Sequence, residues 1–454
     1  MQGSSSDMQE IFARAVARSK AIGDILVERD ALRQIAKQYM RFHGRKPALI
    51  IADDNTWRAA GSRAESELRR AGLEVQSHIL PAVPRPKPSV DLGNSLAGLM
   101  DGNDFAPVAV GSGVINDLVK YAAHRRDRSY SCVATAASMD GYSSAGSPLS
   151  DQGFKMTIQC RPPVAILADL DVIAAAPKQM AGWGYGDMAG KIAAGGDWLL
   201  ADALGIEPLD DVAWPLVQDN LRAWLAAPDA VAGGDPAALS DLFIGLTTVG
   251  LAMEFHGSSR PASGADHQIA HIWEMEHLSH DGEVVAHGAC VAIGTLTALA
   301  LYDWLLRRDF SDQDVDRALA AALTMDEKRR AIQAHFGEGQ IAARAVEETE
   351  AKHVEGEALE ARLHRLVACW PDLRRRLIDH LIPRNEMRDL LARAGAPVDS
   401  TRIGVSREHL SATTLAAGFL RSRYTVLDTL AEFGLLNQAV DEIFAADSKM
   451  EARG

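Results

Sequence analysis

The stretch APVAVGSGVINDLVKYAA, residues 106–123, decides the fold. It begins with a short apolar run, turns at Gly111 and Gly113, and continues with apolar residues at helical spacing. This pattern predicts a buried strand, a tight glycine turn and a helix. Glycine lets a backbone approach a pyrophosphate closely, and the first amides of a helix favour an anion. An ordinary tight turn has the same pattern, so cofactor binding is one of two interpretations at this point.

Strand and helix patterns alternate on both sides of this stretch. The segments KPALIIADD, GLEVQSHIL and SYSCVATAA have the composition of strands, and helical spacing predicts helices over residues 56–71 and 90–100. This alternation favours a parallel sheet with helices packed on both of its faces.

The sequence pattern changes after about Pro177, where segments with the composition of strands become rare. Ala- and Leu-rich stretches with helical periodicity then dominate, over residues 187–204, 289–308, 312–334 and 340–369. We therefore expect an α/β domain over residues 1–177 and an all-helical domain over 178–454, with the cleft between them as the default site.

Composition excludes several functional classes. The net charge is −14 and no stripe of Lys and Arg is evident, which argues against nucleic-acid binding. No uninterrupted apolar run reaches the roughly 20 residues of a membrane span. The opening MQGSSSDMQE lacks the features of a signal peptide, and its Gly/Ser stretch predicts disorder. Four widely spaced cysteines without a CxxC pair favour a reduced compartment, the cytoplasm.

The strand KPALIIADD ends in acids that suit a nucleotide site. An acid such as Asp53 at a strand end often binds an adenosine ribose, whereas a helix N-cap supplied by Asn55 or Thr56 is equally physical. Both roles can hold at once. An acid disfavours the 2′-phosphate of NADP, but Arg58 or Arg63 can compensate, so the choice between NAD and NADP stays open.

Two further segments hold ionisable side chains at helical spacing. In WGYGDMAGK, Asp187 is expected at the start of a helix with Lys191 one turn later, which also describes a simple capping pair. The segment SGADHQIAHIWEMEHLSHDGEVVAHG holds five of the fourteen histidines. His267 and His271 are four residues apart on a probable helix, and His287 follows. Two imidazoles and a carboxylate suit zinc, nickel or ferrous iron with one position open, although a pair of histidines at this spacing also arises by chance. The other two histidines are expected to be exposed.

Read together, these segments resemble one known family. ADDNT, GSGVINDLVKY, ATAASMDGYSS, GYGDMAGK and SSRPASGADHQIAH with the later AHG are similar to the iron-containing alcohol dehydrogenase superfamily, and within it to the glycerol-1-phosphate dehydrogenase branch. AAGFLRSRYTVLD near the end adds to the resemblance, which spans about residues 46–435. Two positions differ from that branch: Asp266 stands where Glu is common, and Ala137 where Pro is frequent.

The resemblance implies a fold and a set of site residues. The fold is dehydroquinate synthase-like: an α/β N-terminal parallel-sheet dinucleotide-binding domain followed by an all-α C-terminal metal-binding domain. Asp187, His267 and His287 would bind one divalent metal. Asp140 and His271 would act in catalysis, with His271 orienting a ligand or passing a proton. The residues implied for NAD or NADP are Asp53, Asn55, Gly111, Ser112, Gly113, Asp117, Thr135 and Ser138.

The same resemblance implies hydride transfer between NAD(P) and a small phosphorylated triose or polyol, dihydroxyacetone phosphate and sn-glycerol 1-phosphate. The substrate phosphate needs a cation, for which Lys191, Lys155 and Arg260 are candidates, although each is also explained as a surface charge. Arg421 and Arg423 are expected mainly to tie helices together. A glycerol or other polyol dehydrogenase, a dehydroquinate synthase-like lyase and a non-catalytic binding protein are the alternatives. A homodimer is implied by family likeness alone.

Overall fold

The structure, a computed structural model, describes residues 5–151 and 154–451. The chain forms two compact units. The first contains the chain up to Met188 together with Pro215–Ser258 and Arg393–Gly395. The second contains Ala189–Trp214, Ser259–Ala392 and the chain from Ala396 onward. These units interleave along the sequence, and the single boundary after residue 177 stays a prediction about domains.

A six-stranded parallel sheet forms the centre of the first unit. Its order is β1-β8-β5-β4-β2-β3. The strands are β1 Asp24–Glu28, β2 Ala48–Asp53, β3 Val75–Leu80, β4 Ala106–Gly111, β5 Ser131–Ala134 and β8 Ala165–Asp169, and β6 Ser147–Asp151 pairs with β7 Phe154–Ile158 in a separate hairpin. The predicted parallel sheet is confirmed.

The strand order reverses between β2 and β4, which marks the carboxyl edge of this sheet as the place where a ligand crevice is expected. The chain runs from β2 outward to β3 and then returns to place β4 on the other side of β2. In open parallel sheets, ligands bind outside the carboxyl ends of the strands where the order reverses in this way. Here those carboxyl ends are Asp53 and Gly111. The topology therefore brings together two positions that the sequence singled out.

Two strands of the sheet escaped the sequence analysis. β1 and β8 are only five residues long, and the residues of β1 are all half-buried. A run of five residues is too short for its periodicity to identify a strand, whether the strand lies at the sheet edge, like β1, or is paired on both sides, like β8. The β6–β7 hairpin was missed for the same reason.

The helices of the first part of the chain include two that carry the site. α6 follows the glycine turn, and α8 is a 26-residue helix that runs from the first unit into the second. The helices are α1 Ser5–Arg18, α2 Ile35–His43, α3 Asp54–Thr56, α4 Ser62–Arg70, α5 Val90–Gly98, α6 Gly113–Arg125, α7 Leu170–Ala174, α8 Lys178–Ala203, α9 Ala213–Gln218, α10 Leu221–Trp224, α11 Pro228–Gly233 and α12 Pro236–His256. A π-helical turn, Trp57–Gly61, joins α3 to α4.

After α12, the regular structure of the described residues consists of helices and one small hairpin, β9 Ser279–His280 with β10 Glu283–Val284. Its helices are α13 Ala265–Met275, α14 His287–Leu305, α15 Asp312–Ala321, α16 Met325–Phe336, α17 Gln340–Lys352, α18 Glu357–His380, α19 Arg384–Arg393, α20 Arg407–Ala417, α21 Val426–Glu432 and α22 Leu436–Glu451. The prediction that helices dominate this part of the chain is confirmed.

Two of the helical stretches predicted there are each divided into two helices. Thr324 caps the start of α16 in a reciprocal capping box with Glu327, which ends the stretch predicted over 312–334. Gly356, with φ 58°, precedes α18 and interrupts the stretch predicted over 340–369. A left-handed glycine and a capping box both stop a helix whatever the apolar spacing around them.

Two helices, α12 and α14, are long and apolar enough to cross a membrane by length and composition alone. The share of each apolar window that is buried inside the protein is 67% for α12 and 94% for α14. Helices that form the core of a soluble protein have the same properties. They are therefore weak evidence for a membrane span.

Candidate active site

The glycine turn, residues 111–113, joins the end of β4 to the start of α6. Gly111 is the last residue of the strand, Ser112 is the helix N-cap, and the Ser112 side chain makes no capping hydrogen bond. The first amides of α6 are therefore presented at the carboxyl edge of the sheet, where the strand order reverses. Backbone N–H groups at a helix N-terminus suit an anionic group such as a pyrophosphate.

Packing explains why both turn residues are glycine. A Cβ on Gly111 would lie 2.5 Å from Cβ of Ile115, one helical turn later. A Cβ on Gly113 would lie 3.3 Å from Cε of Met139, in the loop that follows β5. The space beside the turn is therefore filled by side chains of the protein itself at both positions.

At the neighbouring strand end, Asp53 is itself the helix N-cap. Its Oδ1 accepts hydrogen bonds from the backbone N–H groups of Asn55 at 2.9 Å and Thr56 at 2.8 Å, and Oγ1 of Thr56 accepts from the Asp53 N–H at 3.0 Å. The expectation that Asn55 or Thr56 supplies the cap was wrong, because Asp53 fills that position. Asn55 instead accepts from Arg58 at 2.6 Å through its side-chain oxygen. The carboxylate of Asp53 is half-buried at the crevice.

Asp117, expected to contact the pyrophosphate, is buried and lies 3.4 Å from the Nζ of Lys120. Lys120 is fully buried and also donates to the backbone carbonyls of Gly141 at 3.0 Å and Gly146 at 2.9 Å. The pair thus anchors the loop after β5 to α6. This contact favours a structural role for Asp117, because a carboxylate facing a phosphate would repel it.

The loop after β5, residues 135–146, starts beside the glycine turn. The Thr135 N–H donates to the carbonyl of Gly111 at 3.2 Å, and both Thr135 and Ser138 are buried. Tyr142 closes the loop on itself by donating through its hydroxyl to the carbonyl of Ala136 at 2.9 Å. The structure therefore brings the predicted nicotinamide-side residues next to the predicted pyrophosphate turn.

The same loop packs tightly against α8. A Cβ on Gly184 would lie 2.0 Å from the carbonyl oxygen of Ala137, so only glycine allows this approach. The Asp140 N–H donates to Oδ2 of Asp187 at 2.9 Å. Glycine normally weakens a helix interior by about 1 kcal/mol relative to alanine. The close approach of loop and helix is the packing reason for the glycine of this motif.

Asp187 lies well inside α8 rather than at its start. The helix begins at Lys178, so the expectation of a capping aspartate at the helix start was wrong. Asp187 and Lys191 are both fully buried, and their spacing places them on one face of α8 together with Gly190. Two fully buried charged side chains on one helix face indicate a functional or networked site, since burying a lone charge is costly.

Three imidazoles converge in the second unit, and we name His267, His271 and His287 the histidine cluster. Their ring centroids are 5.3 Å apart for His267 and His287, 5.7 Å for His267 and His271, and 5.9 Å for His271 and His287. The first two lie on α13, and His287 is the first residue of α14. The expected i,i+4 pair is therefore present and is joined by the third histidine.

Two members of the cluster have a carboxylate on Nδ1. Asp266 contacts Nδ1 of His267, and Oε1 of Glu274 lies 2.6 Å from Nδ1 of His287. A carboxylate on Nδ1 holds the proton there and leaves Nε2 as the metal-binding atom. This arrangement is typical of histidines that ligate a metal.

His271 differs, because its buried Nδ1 has no hydrogen-bond partner in the described part of the chain. Burial holds the pKa of His271 well below its usual value; the positive charge of Arg421 acts in the same direction, and Glu274 opposes them. His271 is therefore a neutral imidazole, in which one ring nitrogen is a hydrogen-bond donor and the other is an acceptor.

Gly190 shows how closely α8 approaches the cluster. A Cβ there would lie 2.5 Å from Oδ2 of Asp266 and 3.4 Å from Cε1 of His267. The backbone of α8 thus packs directly against the pair of Asp266 and His267. Asp187 precedes Gly190 by three residues on the same helix face.

Comparisons with known proteins point to one family. The sequence profile of the family described as iron-containing alcohol dehydrogenase matches residues 26–177. The chain is 34% identical to a glycerol-1-phosphate dehydrogenase, NAD(P)+, from Bacillus velezensis, over 64% of this chain and 75% of that protein. It is 32% identical to the protein of the same name from Methanothrix thermoacetophila, over 68% and 83% of the two chains. This chain belongs to the iron-containing alcohol dehydrogenase family.

Solved structures show the same fold. The glycerol dehydrogenase of Schizosaccharomyces pombe superposes with a TM-score of 0.56 at 15% identity, covering 94% of this chain and 92% of that one. A probable glycerol dehydrogenase from Sinorhizobium meliloti superposes with a TM-score of 0.58 at 16% identity, covering 93% and 97%. The iron-containing alcohol dehydrogenase fold expected from the sequence is confirmed.

The side chains that are candidates for binding the substrate phosphate differ in the contacts that they make within the protein. The guanidinium of Arg260 is buried, donates to the carbonyls of Asp197 at 2.7 Å and Tyr424 at 3.0 Å, and lies 3.2 Å from Glu207. These contacts give Arg260 a structural role and disfavour it as a phosphate ligand. The side chain of Lys155 lies outside the described residues.

Sequence analysis missed two acids that shape the site of this dehydrogenase fold. Glu274 was not singled out, although it follows His271 by three residues on α13. Asp197 is fully buried and accepts from the backbone N–H groups of Ala265 at 2.7 Å and Val426 at 2.8 Å. Burial raises its pKa to about 6. It ties the first turn of α13 to two distant segments, which no local sequence signal reveals.

Proposed function

We propose that this protein is a metal-dependent, NAD(P)-dependent oxidoreductase that interconverts dihydroxyacetone phosphate and sn-glycerol 1-phosphate by hydride transfer. The observation that carries the proposal is the histidine cluster, in which two imidazoles are each backed by a carboxylate. The relatives named glycerol-1-phosphate dehydrogenase support the choice of substrate.

The dinucleotide is assigned to the crevice at the carboxyl edge of the sheet. The amides of the glycine turn would bind the pyrophosphate, and Asp53 with Asn55 would bind the adenosine ribose. Thr135 and Ser138 would lie on the nicotinamide side. Support comes from the reversal of strand order between β2 and β4 and from the hydrogen bond between Thr135 and Gly111.

A divalent metal is assigned to Asp187, His267 and His287. The donor set fits, because both histidines are held with Nδ1 against a carboxylate and Nε2 left for coordination. Asp187 is fully buried on the face of α8 that carries Gly190, whose backbone packs against Asp266 and His267. Nickel, zinc and ferrous iron all accept such a set. When bound, the metal polarises the substrate carbonyl as a Lewis acid and the nicotinamide exchanges the hydride.

The remaining residues position the substrate and move its proton. Reduction of the ketone would leave an alkoxide that needs a proton. His271, which burial keeps neutral, would relay that proton from solvent by gaining one on one ring nitrogen as it releases one from the other. Asp140 borders the substrate hydroxyls and is held in place by the bond from its N–H to Asp187. Lys191, fully buried on the helix face of Asp187, attracts the substrate phosphate.

We also propose a compartment and an oligomeric state for the protein. All four cysteines lie in the described part of the chain and none forms a disulfide, which suits a protein of the cytoplasm. The assembly proposed from family likeness is a homodimer.

The test is a pair of kinetic measurements, on dihydroxyacetone phosphate and on dihydroxyacetone, with metal-stripped and metal-reconstituted enzyme. We expect oxidation of NAD(P)H only after reconstitution, and a strong preference for the phosphorylated ketone. Equal efficiency on the two ketones would remove the phosphate site and point to a glycerol or polyol dehydrogenase. Turnover without net oxidation or reduction of the cofactor would instead indicate a lyase.

One substitution sharpens that test. Lys191→Met removes the buried ammonium and should lower kcat/KM for dihydroxyacetone phosphate by about 10- to 100-fold, the usual effect of losing a charge-assisted hydrogen bond. The rate with dihydroxyacetone should change little. Lys178→Met, at the exposed start of the same helix, is the matched control. Equal losses on both ketones would exclude Lys191 as the phosphate ligand.

A further inference from the structure

Glu274 occupies an unusual position beside the histidine cluster. It lies in the last turn of α13, three residues after His271, and its side chain is only 8% exposed. A carboxylate that is buried to this extent needs a partner, because desolvation of an isolated charge is costly. Its partners therefore define its role.

The contacts of Glu274 reach two members of the cluster. Its Oε1 lies 2.6 Å from Nδ1 of His287. One carboxylate oxygen of Glu274 and one ring nitrogen each of His271 and His287 all lie within 4.8 Å of one another. Glu274 thus stands between the imidazole proposed as a ligand and the imidazole proposed to carry the proton.

Two roles are chemically open to a carboxylate in this place. It can bind the metal directly, or it can hold an imidazole that does. The contact with Nδ1 of His287 favours the second role, because a ligand histidine then coordinates through Nε2 on the far side of the ring. The pairing of Asp266 with Nδ1 of His267 repeats this arrangement on the other proposed ligand.

We propose that Glu274 is a positioning residue that orients His287 with its Nε2 toward the metal and thereby sets the affinity of the site. This inference rests on the metal site proposed above. Glu274 keeps the proton of His287 on Nδ1 and raises the electron density at Nε2, so the ring binds a cation more strongly than a free imidazole does. It also adds a negative charge beside the cation, which strengthens binding further.

The experiment measures metal affinity directly on the full-length apoenzyme. Co²⁺ and Zn²⁺ are titrated in competition with a chelator of known affinity, and the visible absorption of the Co²⁺ form reports the ligands. We expect Glu274→Gln to weaken binding of both ions by about 10- to 100-fold, the usual effect of losing such a partner. The Co²⁺ band should keep its intensity at saturation, because the ligands are unchanged. The affinity for NAD(P) should be unaltered.

Glu276→Gln is the matched control for this variant. Glu276 follows two residues later and also pairs with a histidine, His409, at 2.8 Å, but it is exposed. The substitution Glu276→Gln should leave the metal affinity equal to that of the unaltered protein. Thermal unfolding of both apo variants checks that the fold persists.

Unchanged metal affinity in Glu274→Gln would overturn the inference. Loss of binding by 1000-fold or more, together with an altered Co²⁺ band at saturation, would also overturn it, because Glu274 would then be a ligand (about 10 to 100-fold is the range for a positioning partner). His267→Ala separates this failure from failure of the metal site. If His267→Ala binds Co²⁺ normally, the proposed metal site itself is wrong.

Discussion

The glycine turn and the histidine cluster present different chemical groups, and they are assembled over very different sequence distances. The turn presents backbone amides, and its shape depends on the contact of Gly111 with Ile115, one helical turn away. The cluster presents side chains whose orientation depends on Glu274 and His287, 13 residues apart, and on the bond of Asp197 to Val426, 229 residues apart. A site made of backbone is therefore local, whereas a site made of side chains is a product of packing.

The cluster contains a second contrast within itself. His267 and His287 each have a carboxylate on Nδ1, whereas the Nδ1 of His271 has no hydrogen-bond partner among the described residues. The three histidines therefore have two different environments, which suit the two roles proposed for them. The partner on Nδ1, rather than the spacing of the histidines, separates the proposed ligands from the proposed proton carrier.

The largest expected effect comes from removing one side chain of the cluster. His267→Ala should lower kcat/KM by about 1000-fold or more, equivalent to about 4 kcal/mol, because Lewis-acid stabilisation is lost with the metal. Metal content by mass spectrometry and steady-state rates measure the change. NAD(P) affinity, which we attribute to the glycine turn, should be unaffected.

His277→Asn is the control for this change. His277 lies in the same segment but is exposed, and asparagine tolerates its left-handed backbone, φ 56°. Full activity is expected. A comparable loss in both variants would mean that the segment is sensitive to any substitution, and the distinction between the cluster and its neighbours would not hold.

A substitution in the glycine turn should have an effect of intermediate size. It should weaken cofactor binding and leave the metal in place, the reverse of the effect expected for His267→Ala. In Gly111→Ala the new Cβ would lie 2.5 Å from Cβ of Ile115, so the turn must shift. We expect a loss of about 1–3 kcal/mol in the free energy of unfolding, as for overpacking elsewhere, and a raised KM for NAD(P) with metal content unchanged. Thermal unfolding and cofactor titration measure both.

Gly98→Ala provides the comparison, since no heavy atom outside its own helix backbone lies within 4 Å of a Cβ there. It should be neutral or slightly stabilising. If Gly111→Ala also proves neutral in stability and in cofactor binding, the turn does not depend on glycine.

The smallest expected effect concerns cofactor preference at Asp53. The substitution Asp53→Asn should keep the cap, because asparagine and aspartate are equally good N-caps, so the free energy of unfolding should change by less than about 0.5 kcal/mol. Removal of the charge should raise the ratio of kcat/KM for NADP to that for NAD by about fivefold, the effect of about 1 kcal/mol between partly exposed charges. Steady-state kinetics with each cofactor measure the ratio.

Asp54→Asn removes a neighbouring charge and serves as the control. Asp54 is exposed and accepts from the N–H of Ala82 at 2.9 Å. An equal shift in cofactor ratio for both variants would mean that the general negative potential of this edge, rather than Asp53, sets the preference.

Local signals predicted much of the first unit. The strand, turn and helix of residues 106–123 and the acid at the end of β2 were all found, because apolar periodicity and turn chemistry act over a few residues. A capping box at Thr324 was equally visible in the sequence as Thr-Met-Asp-Glu, and attention to it would have divided the helix predicted over 312–334.

Other features had no local signal. Asp117 has the spacing of a pyrophosphate residue yet pairs with Lys120, and Arg260 has the charge of a phosphate ligand yet binds two backbone carbonyls. The partner of a charged group is chosen by which segments pack together. Composition and spacing do not contain that information.

The sequence by itself determined the parallel α/β sheet, the glycine turn, the helical remainder and membership of the iron-containing alcohol dehydrogenase family. The tertiary structure alone decided that Asp53 caps its own helix, that Arg260 binds two backbone carbonyls, and that Glu274 and Asp266 contact Nδ1 of two of the three histidines. The physical reason is the distance along the sequence over which each interaction acts. Backbone hydrogen bonds and apolar periodicity are settled between near neighbours, whereas burial, and the charge partners that burial demands, are settled only when distant segments meet.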